Sequence, residues 1–410
     1  MSAARSTYRS WSLTMLIVLL MCFTCLPAAT QPTAENGTYP PVSTAQKQCL
    51  VAALAPQDSE SSPPVNDEPN SRVVNIGFED VTSDDPTRIP EIAHELNSIN
   101  VTGVSISVGR LDWIGFPWAK YSNQESEEVA RTGRDYVSEA ISALICSDSG
   151  QRRTITLSID TLLGRDIELH PERAGINAQG TVSKNWGSVS AWKYTDLSTR
   201  LEQLTSELIN RYSPNSINVT EMMFPSYTFS DADFQDFQAY SGMHQWPLTA
   251  EGAKDTDSEL LHAWRSDAVS SIMAVVARQF EGTDVQLTMD VRSPFTTDSR
   301  GRPDSGQDYE QLLKIVDRLN IWNFQGVNSS GYYDTEQLSR LFVDAAPSRF
   351  GIELGLWEKY GRLSAETLER ELRLAEEHKV QYVSITPTSL MDEQIWDTLR
   401  KIWGAPKDVN

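Results

Sequence analysis

Thr154-Ile155-Thr156-Leu157-Ser158-Ile159-Asp160 alternates aliphatic and polar side chains at every step and ends on a carboxylate. Successive side chains of an extended strand point to opposite faces, so Ile155, Leu157 and Ile159 share one face and Thr156, Ser158 and Asp160 the other. A barrel strand has this form when its apolar side packs on helices and its polar side looks into the barrel.

Seven similar runs lie on either side of this one, at 73–78, 101–108, 216–220, 285–290, 319–324, 350–354 and 380–385. Stretches of helical period separate them: Thr87–Ser98, Ser126–Cys146, Asp196–Tyr212, Ser258–Phe280, Tyr309–Arg318, Thr335–Asp344, Ala365–His378 and Asp392–Trp403. Strands that alternate with helices form a parallel sheet, and eight such units predict a (β/α)8 TIM barrel over residues 72–405. The competing open, doubly wound sheet uses fewer units, and no Gly-x-Gly-x-x-Gly or P-loop pattern follows the first run.

Helix-to-strand connections are short, whereas the strand-to-helix segments 110–125, 161–195 and 222–257 are long. Such loops emerge at the C-terminal face of a barrel, where its chemistry is carried out. Period-2 reading sends Asn75, Gly77 and Glu79 inward in the first strand, Gln286, Thr288 and Asp290 in the fifth, and Gly351 and Glu353 in the seventh. Glu79, Asp160, Asp290 and Glu353 therefore aim at one mouth. Strict alternation turns Thr220 inward and Glu221 outward, but Glu221 stands just past its strand, where a bend at the rim can re-aim a side chain.

Clustered carboxylates without a metal suit glycosidic bond cleavage, in which one acid protonates the leaving oxygen and a second carboxylate attacks or activates water. The candidate catalytic residues are Glu221 as acid/base and Glu353 as nucleophile or base, with Asp290 as the alternative second carboxylate. The competing reading makes Asp160 and Glu79 structural groups, ion-paired to Arg110 for example. Trp113, Trp118, Trp186, Trp192, Trp246 and Trp357 all fall in strand-to-helix loops, with Phe116, Tyr121, Tyr227, Phe229, Tyr332 and Tyr333 nearby. Their faces suit stacking on pyranose rings, although part of the set must pack the loops. Trp264, Trp322, Trp396 and Trp403 lie in regular elements and are assigned to the core.

Other chemistries lack their signatures. The five histidines show no metal-ligand spacing, there is no Gly-x-Ser-x-Gly elbow, and no cofactor or metal is expected. A net charge of −21 argues against nucleic acid and anionic membrane surfaces as partners. Of the glycosylation sequons at Asn36, Asn100, Asn218 and Asn328, that at Asn218 falls in an expected buried strand.

Residues 1–30 read as a signal peptide, with a membrane anchor as the alternative. Arg5 and Arg9 precede an apolar run from Trp11 to Leu26, and Pro27-Ala28-Ala29 follows. Residues 31–71, rich in Pro and Ser, read as a flexible tether, with Gln48–Leu54 a segment that could dock on the barrel. In an oxidising compartment Cys49 and Cys146 are expected to pair, because the tether enters at the barrel's N-terminal face, where the second helix ends.

The third and fourth units resemble glycosyl-hydrolase-like family 10 barrels, which are related to the C-terminal hydrolase domain of bacterial poly-N-acetylglucosamine deacetylases. His170-Pro171-Glu172 is followed by Asn177-Ala178-Gln179-Gly180, then by a helix and Ile217-Asn218-Val219-Thr220-Glu221-Met222-Met223-Phe224-Pro225. Glu221 falls on the second Asp of that family's fourth-strand motif, and Thr220 replaces the first. Trp264-Arg265 and Phe324-Gln325 match two further features. The resemblance implies a barrel acting on a bacterial surface or matrix polysaccharide; with the leader and the carboxylates, the expectation is a glycoside hydrolase that is secreted or associated with the cell surface. The candidate substrate-binding residues are Asp160 and Arg110 at the mouth, the loop aromatics Trp113, Trp118, Tyr227, Tyr332 and Trp357, and His170 and Gln325 of the matched motifs. The replacement by Thr220 keeps open a second reading, a non-catalytic carbohydrate-binding barrel.

Overall fold

The computed structural model describes residues 44–46, 48, 49, 71–294, 300–327, 334–359 and 361–404. The expected leader, almost all of the tether, Tyr332 and Tyr333 lie outside the described residues. Eight parallel strands form in chain order: β1 (Ser71–Ile76), β2 (Gly103–Arg110), β3 (Thr154–Asp160), β4 (Ser216–Thr220), β5 (Gln286–Arg292), β6 (Arg318–Asn323), β7 (Phe350–Gly355) and β8 (Tyr382–Thr386). Each pairs with its sequence neighbours, and β1 pairs with both β8 and β2, so the sheet closes into a barrel. Register pairs Arg110 with Asp160 and Asp160 with Thr220, which puts these three ends at one level.

The principal covering helices are α1 (Arg88–Asn97), α2 (Glu127–Thr132), α3 (Tyr136–Leu144), α4 (Gly164–Leu169), α5 (Leu197–Tyr212), α6 (Glu259–Ala277), α7 (Ala365–Glu377) and α8 (Glu393–Trp403). The single helix expected over 126–146 is two. Gly133 ends α2 in the left-handed conformation at φ 68°, and Asp135 caps α3 by accepting from Ser138 N–H. The helix expected over 309–318 stops at Leu312, and Arg318 instead opens β6. No helix of the described residues is long and apolar enough to cross a membrane.

The main core lies between sheet and helices. Ile155, Leu157 and Ile159 meet it from β3 and Leu201, Leu204 and Leu208 from α5, all buried. The barrel interior is polar. Asn218 Nδ2 donates to Ser158 Oγ (3.3 Å), and Asn218 Oδ1 accepts from Thr288 Oγ1 (2.9 Å) and Asn320 Nδ2 (3.2 Å). Asn218 is 4% exposed, so its sequon is closed to modification in the folded chain. Gly351 makes room for this packing, since a Cβ there would stand 2.6 Å from Tyr382 Cδ1 and 2.9 Å from Asn320 Oδ1.

Cys49 and Cys146 form a disulfide, as expected. Cys146 lies two residues past α3, bridging to Arg152, and its carbonyl accepts from Gln46 Nε2.

Candidate active site

The mouth is assembled from strand ends. Asp160 ends β3, and its Oδ2 meets Arg110 Nε of β2 at 3.2 Å while its Oδ1 accepts from Leu162 N–H. A register shift between Ser107 and Gly109 brings Arg110 level with Asp160. The Arg110–Asp160 ion pair named in the competing reading is formed, and it stands at the rim of the cluster.

Glu221 follows β4 with φ 62°. A non-glycine residue in the left-handed region costs roughly 1–3 kcal/mol, and such positions concentrate at functional sites. The turn resolves the parity conflict: Thr220 keeps the inward position, and Glu221 is rotated back over the mouth. Burial there, reinforced by the charges of Asp160 and Asp290, raises the Glu221 carboxyl to about 8, against the opposing pull of Arg292 and Arg110. Among the described residues no side chain hydrogen-bonds that carboxyl, which leaves it available to a ligand oxygen.

Asp290 and Glu353 form a hydrogen-bonded pair beneath it, both about 95% buried. Asp290 Oδ1 accepts from Asn320 Nδ2 at 3.0 Å, and Glu353 Oε1 accepts from Asn75 Nδ2 at 3.0 Å. Burial lifts both carboxyls. Glu353 rises well above its ordinary value because Asp290's charge adds to burial, whereas amide donors partly hold Asp290 down. Two charges this close in a buried site oppose each other, so the carboxyls titrate as a coupled pair that favours sharing a proton over double ionisation. Both candidates for the second carboxylate, Glu353 and Asp290, therefore lie in one coupled pair at the mouth.

Glu79 does not extend β1. It lies exposed in a short helix, Phe78–Val81, with its Oε2 3.0 Å from where a Cβ on Gly77 would stand.

The aromatic set divides. Trp118 is corrected: it is 3% exposed and lies away from the mouth. The strand Trp113–Ile114 folds back antiparallel on β2, and the following chain runs down the outer face. Trp118 there packs on Tyr121, and Arg211 of α5 reaches Pro117 O. Trp192 is buried, and Trp246 packs among Phe229, Phe234, Phe237 and Trp264. Trp264, Trp396 and Trp403 are core, as expected. Trp113 stays half-buried beside Phe78, and Tyr227 stacks on Trp186 at 6.0 Å and 12°. Trp357 contacts Phe324, which stacks on Trp322.

Trp322, assigned to the core from sequence, shares the inward parity of Asn320, is half-buried, and is in register with Glu353 and Arg292. Arg292 was also missed, because the expected strand stopped at Asp290. Extending the alternation by two residues would have found it. Gln325 bonds to Asn323 Oδ1, and Asn323 donates to Glu371 of α7, which ties Gln325 to the helix-facing side rather than to the carboxylates. His170 caps the end of α4 and faces Glu172 at 3.6 Å.

A closed barrel with acidic strand ends at its mouth is an architecture common to glycosidases. The comparisons with solved structures agree on the fold. The chain superposes on the PgaB (BpsB) glycoside hydrolase domain from Bordetella bronchiseptica with TM-score 0.57 and 12% identity, covering 82% of this chain and 99% of that one. The catalytic domain of a β-amylase from Paenibacillus polymyxa gives 0.54 at 11% identity, over 81% and 97%. A β-galactosidase from the psychrophilic Marinomonas ef1 gives 0.58 at 11%, over 81% of this chain and 58% of the galactosidase. No family model matches the sequence, and no curated protein matches it. The barrel therefore has the fold of TIM-barrel glycosidases, including the group that the sequence resembles.

Proposed function

We propose that this protein is a glycoside hydrolase, secreted or held at the cell surface, acting on a bacterial surface or matrix polysaccharide. The observation that carries the reading is Glu221: a strained backbone turns its carboxyl over the mouth, where burial and Asp160 keep it protonated near neutral pH. The protonated Glu221 gives its proton to the glycosidic oxygen as the C1–O bond breaks. Asp290 supplies the opposing charge, either attacking C1 or taking a proton from the water that does. Arg292 and Arg110 stabilise the Glu221 anion left behind. The proposed partner is a polysaccharide or oligosaccharide, with no cofactor required by this chemistry.

The test incubates wild-type protein and Glu221→Gln with purified bacterial envelope polysaccharides and measures released reducing ends. Release by wild type and a loss of about 10²–10⁴-fold in the variant is expected. Equal rates in the two proteins would remove the assignment of Glu221. Binding without release would favour the non-catalytic barrel, the reading that Thr220 at the first acidic position motivates.

A further inference from the structure

Glu221 is held in the left-handed region, and so costly a conformation persists only where its surroundings fix it. Those surroundings come from the loop that follows β5. Its short strands Gly301–Arg302 and Gln307–Asp308 pair antiparallel and lie against the chain that leaves Glu221. Ser305 O accepts from Phe224 N–H at 2.8 Å. Gly306 seats the loop on α6: at φ 89° a Cβ there would stand 2.7 Å from Arg265 O. Arg265 in turn donates to Asp304 O at 2.7 Å and to Thr228 Oγ1 at 2.9 Å.

One side chain of this loop touches both strand ends. Gln307 is fully buried, and its Nε2 donates to Met222 O at 3.3 Å and reaches Asp290 O at 3.5 Å. Its Oε1 accepts from Arg292 N–H at 2.9 Å. Tyr309 OH donates to Arg292 O, so the end of β5 is gripped twice. The partners of the Gln307 amide are therefore the backbone just past Glu221, that of Asp290 and that of Arg292. An amide supplies two N–H donors and an acceptor from one planar group. A carboxylate would set an oxygen against two carbonyls, and an aliphatic side chain would leave all three groups unpaired in a buried site. Any one of these bonds would fasten a loop; spanning β4 and β5 is what Gln307 adds.

We propose that Gln307 is a positioning residue, whose amide clamps the Glu221 turn to the end of β5 and so sets the distance between the proton donor and Asp290. Its consequence for rate rests on the glycosidase reading, since a misplacement of about 1 Å in such a pair costs about 10²-fold. The clamp also keeps Glu221 among the charges that face it, those of Asp160, Asp290, Glu353, Arg292 and Arg110. Releasing it lets the carboxyl move outward toward water.

The test uses the full chain carrying Gln307→Met, which keeps the length of the side chain and removes its hydrogen bonds. Kinetics are measured on a bacterial surface polysaccharide that wild type cleaves, normalised to folded protein. An NMR titration follows the Glu221 carboxyl in protein made with isotope-labelled glutamate, its signal assigned by its absence in Glu221→Gln. Expected are a loss of about 10²-fold in kcat with KM within about threefold, and a Glu221 titration about one unit lower than in wild type. A merely structural role lowers the melting temperature and moves neither. Should Gln307→Met fail to fold, Gln307→Asn decides, because it keeps a buried amide but draws it back by one methylene. An unmoved titration or an unmoved kcat in the folded variant overturns the clamp and leaves the glycosidase reading standing. Failure of wild type to cleave any polysaccharide overturns that reading instead, and the titration still decides the role of Gln307.

Discussion

Asn75 Nδ2 lies 3.0 Å from Glu353 Oε1, joining the first barrel strand to the seventh across the interior. The same Glu353 carboxyl is hydrogen-bonded to Asp290, so it is held by an amide donor and a carboxylate acceptor together. A protonated carboxyl satisfies both partners; an ionised one would set two charges against each other in a buried site.

This arrangement ranks two substitutions. Gln at 353 offers an oxygen to Asn75 and an N–H to Asp290, the same donor and acceptor pattern as the protonated acid. Glu353→Gln is therefore expected to keep activity within about tenfold of wild type, while Asp290→Asn loses roughly 10³-fold or more. Steady-state kinetics on one cleavable polysaccharide checks the order. The opposite ranking would place the working charge on Glu353.

In the proposed mechanism Glu221 sets the alkaline side of the pH profile. An acid raised to about 8 is protonated, and so able to donate, below that pH. The value of kcat/KM should fall tenfold per unit above about pH 8. Assays from pH 5 to 10 with a substrate that does not itself titrate there would show the limb. A profile flat through pH 9 would mean that another group supplies the proton.

Much of this was legible in sequence because barrel strands obey simple parity. Thr154–Asp160 and Ser216–Thr220 are the observed strands residue for residue, and Asp160, Asp290, Glu353 and Asn75 face inward as alternation requires. Parity fails where the backbone leaves the extended region. Glu221 reaches the mouth through a left-handed residue, and no local pattern announces it. Trp118 was misplaced for a different reason. A loop's position in sequence does not reveal that a two-residue turn, Leu111-Asp112, sends the chain back down the outside of the barrel. Burial of Asn218 follows from the strand expected around it, whereas the bonds that satisfy its amide, from Thr288 and Asn320, are a tertiary fact that one strand's sequence does not contain.

The disulfide should matter more to the N-terminal segment than to the barrel. A closed loop of about 100 residues corresponds to about 4.7 kcal/mol in the chain-entropy account. Here one end, Cys49, lies outside the closed sheet, so reduction frees native chain as well as unfolded chain. Cys146→Ser is expected to lower stability by clearly less than that figure and to speed proteolysis before residue 71. Urea unfolding together with limited trypsin digestion, each with and without the substitution, provides the check. A loss of about 4–5 kcal/mol would show that the segment is integral to the barrel.

The raised Glu221 carboxyl also links stability to pH, independently of any substrate. Its ordinary value is 4.5 and its folded value about 8, so the folded state binds this proton more tightly than the unfolded chain does. Where the native state holds more protons, stability falls as pH rises. The favourable contribution is complete below about 4.5, drains away across the interval, and is gone above about 8. Glu221→Gln removes the group that must ionise while keeping its shape. The variant should therefore match wild type in urea unfolding near pH 4.5 and exceed it near pH 9, by roughly a few kcal/mol. Arg292 and Arg110 temper the size of the effect without reversing its sign, because burial and Asp160 act in the same direction and outweigh them. A stability difference that stays constant from pH 4.5 to 9 would mean that Glu221 ionises in the folded protein as it does in the unfolded chain. The proton donor would then have to be sought among Asp160 and the Asp290–Glu353 pair.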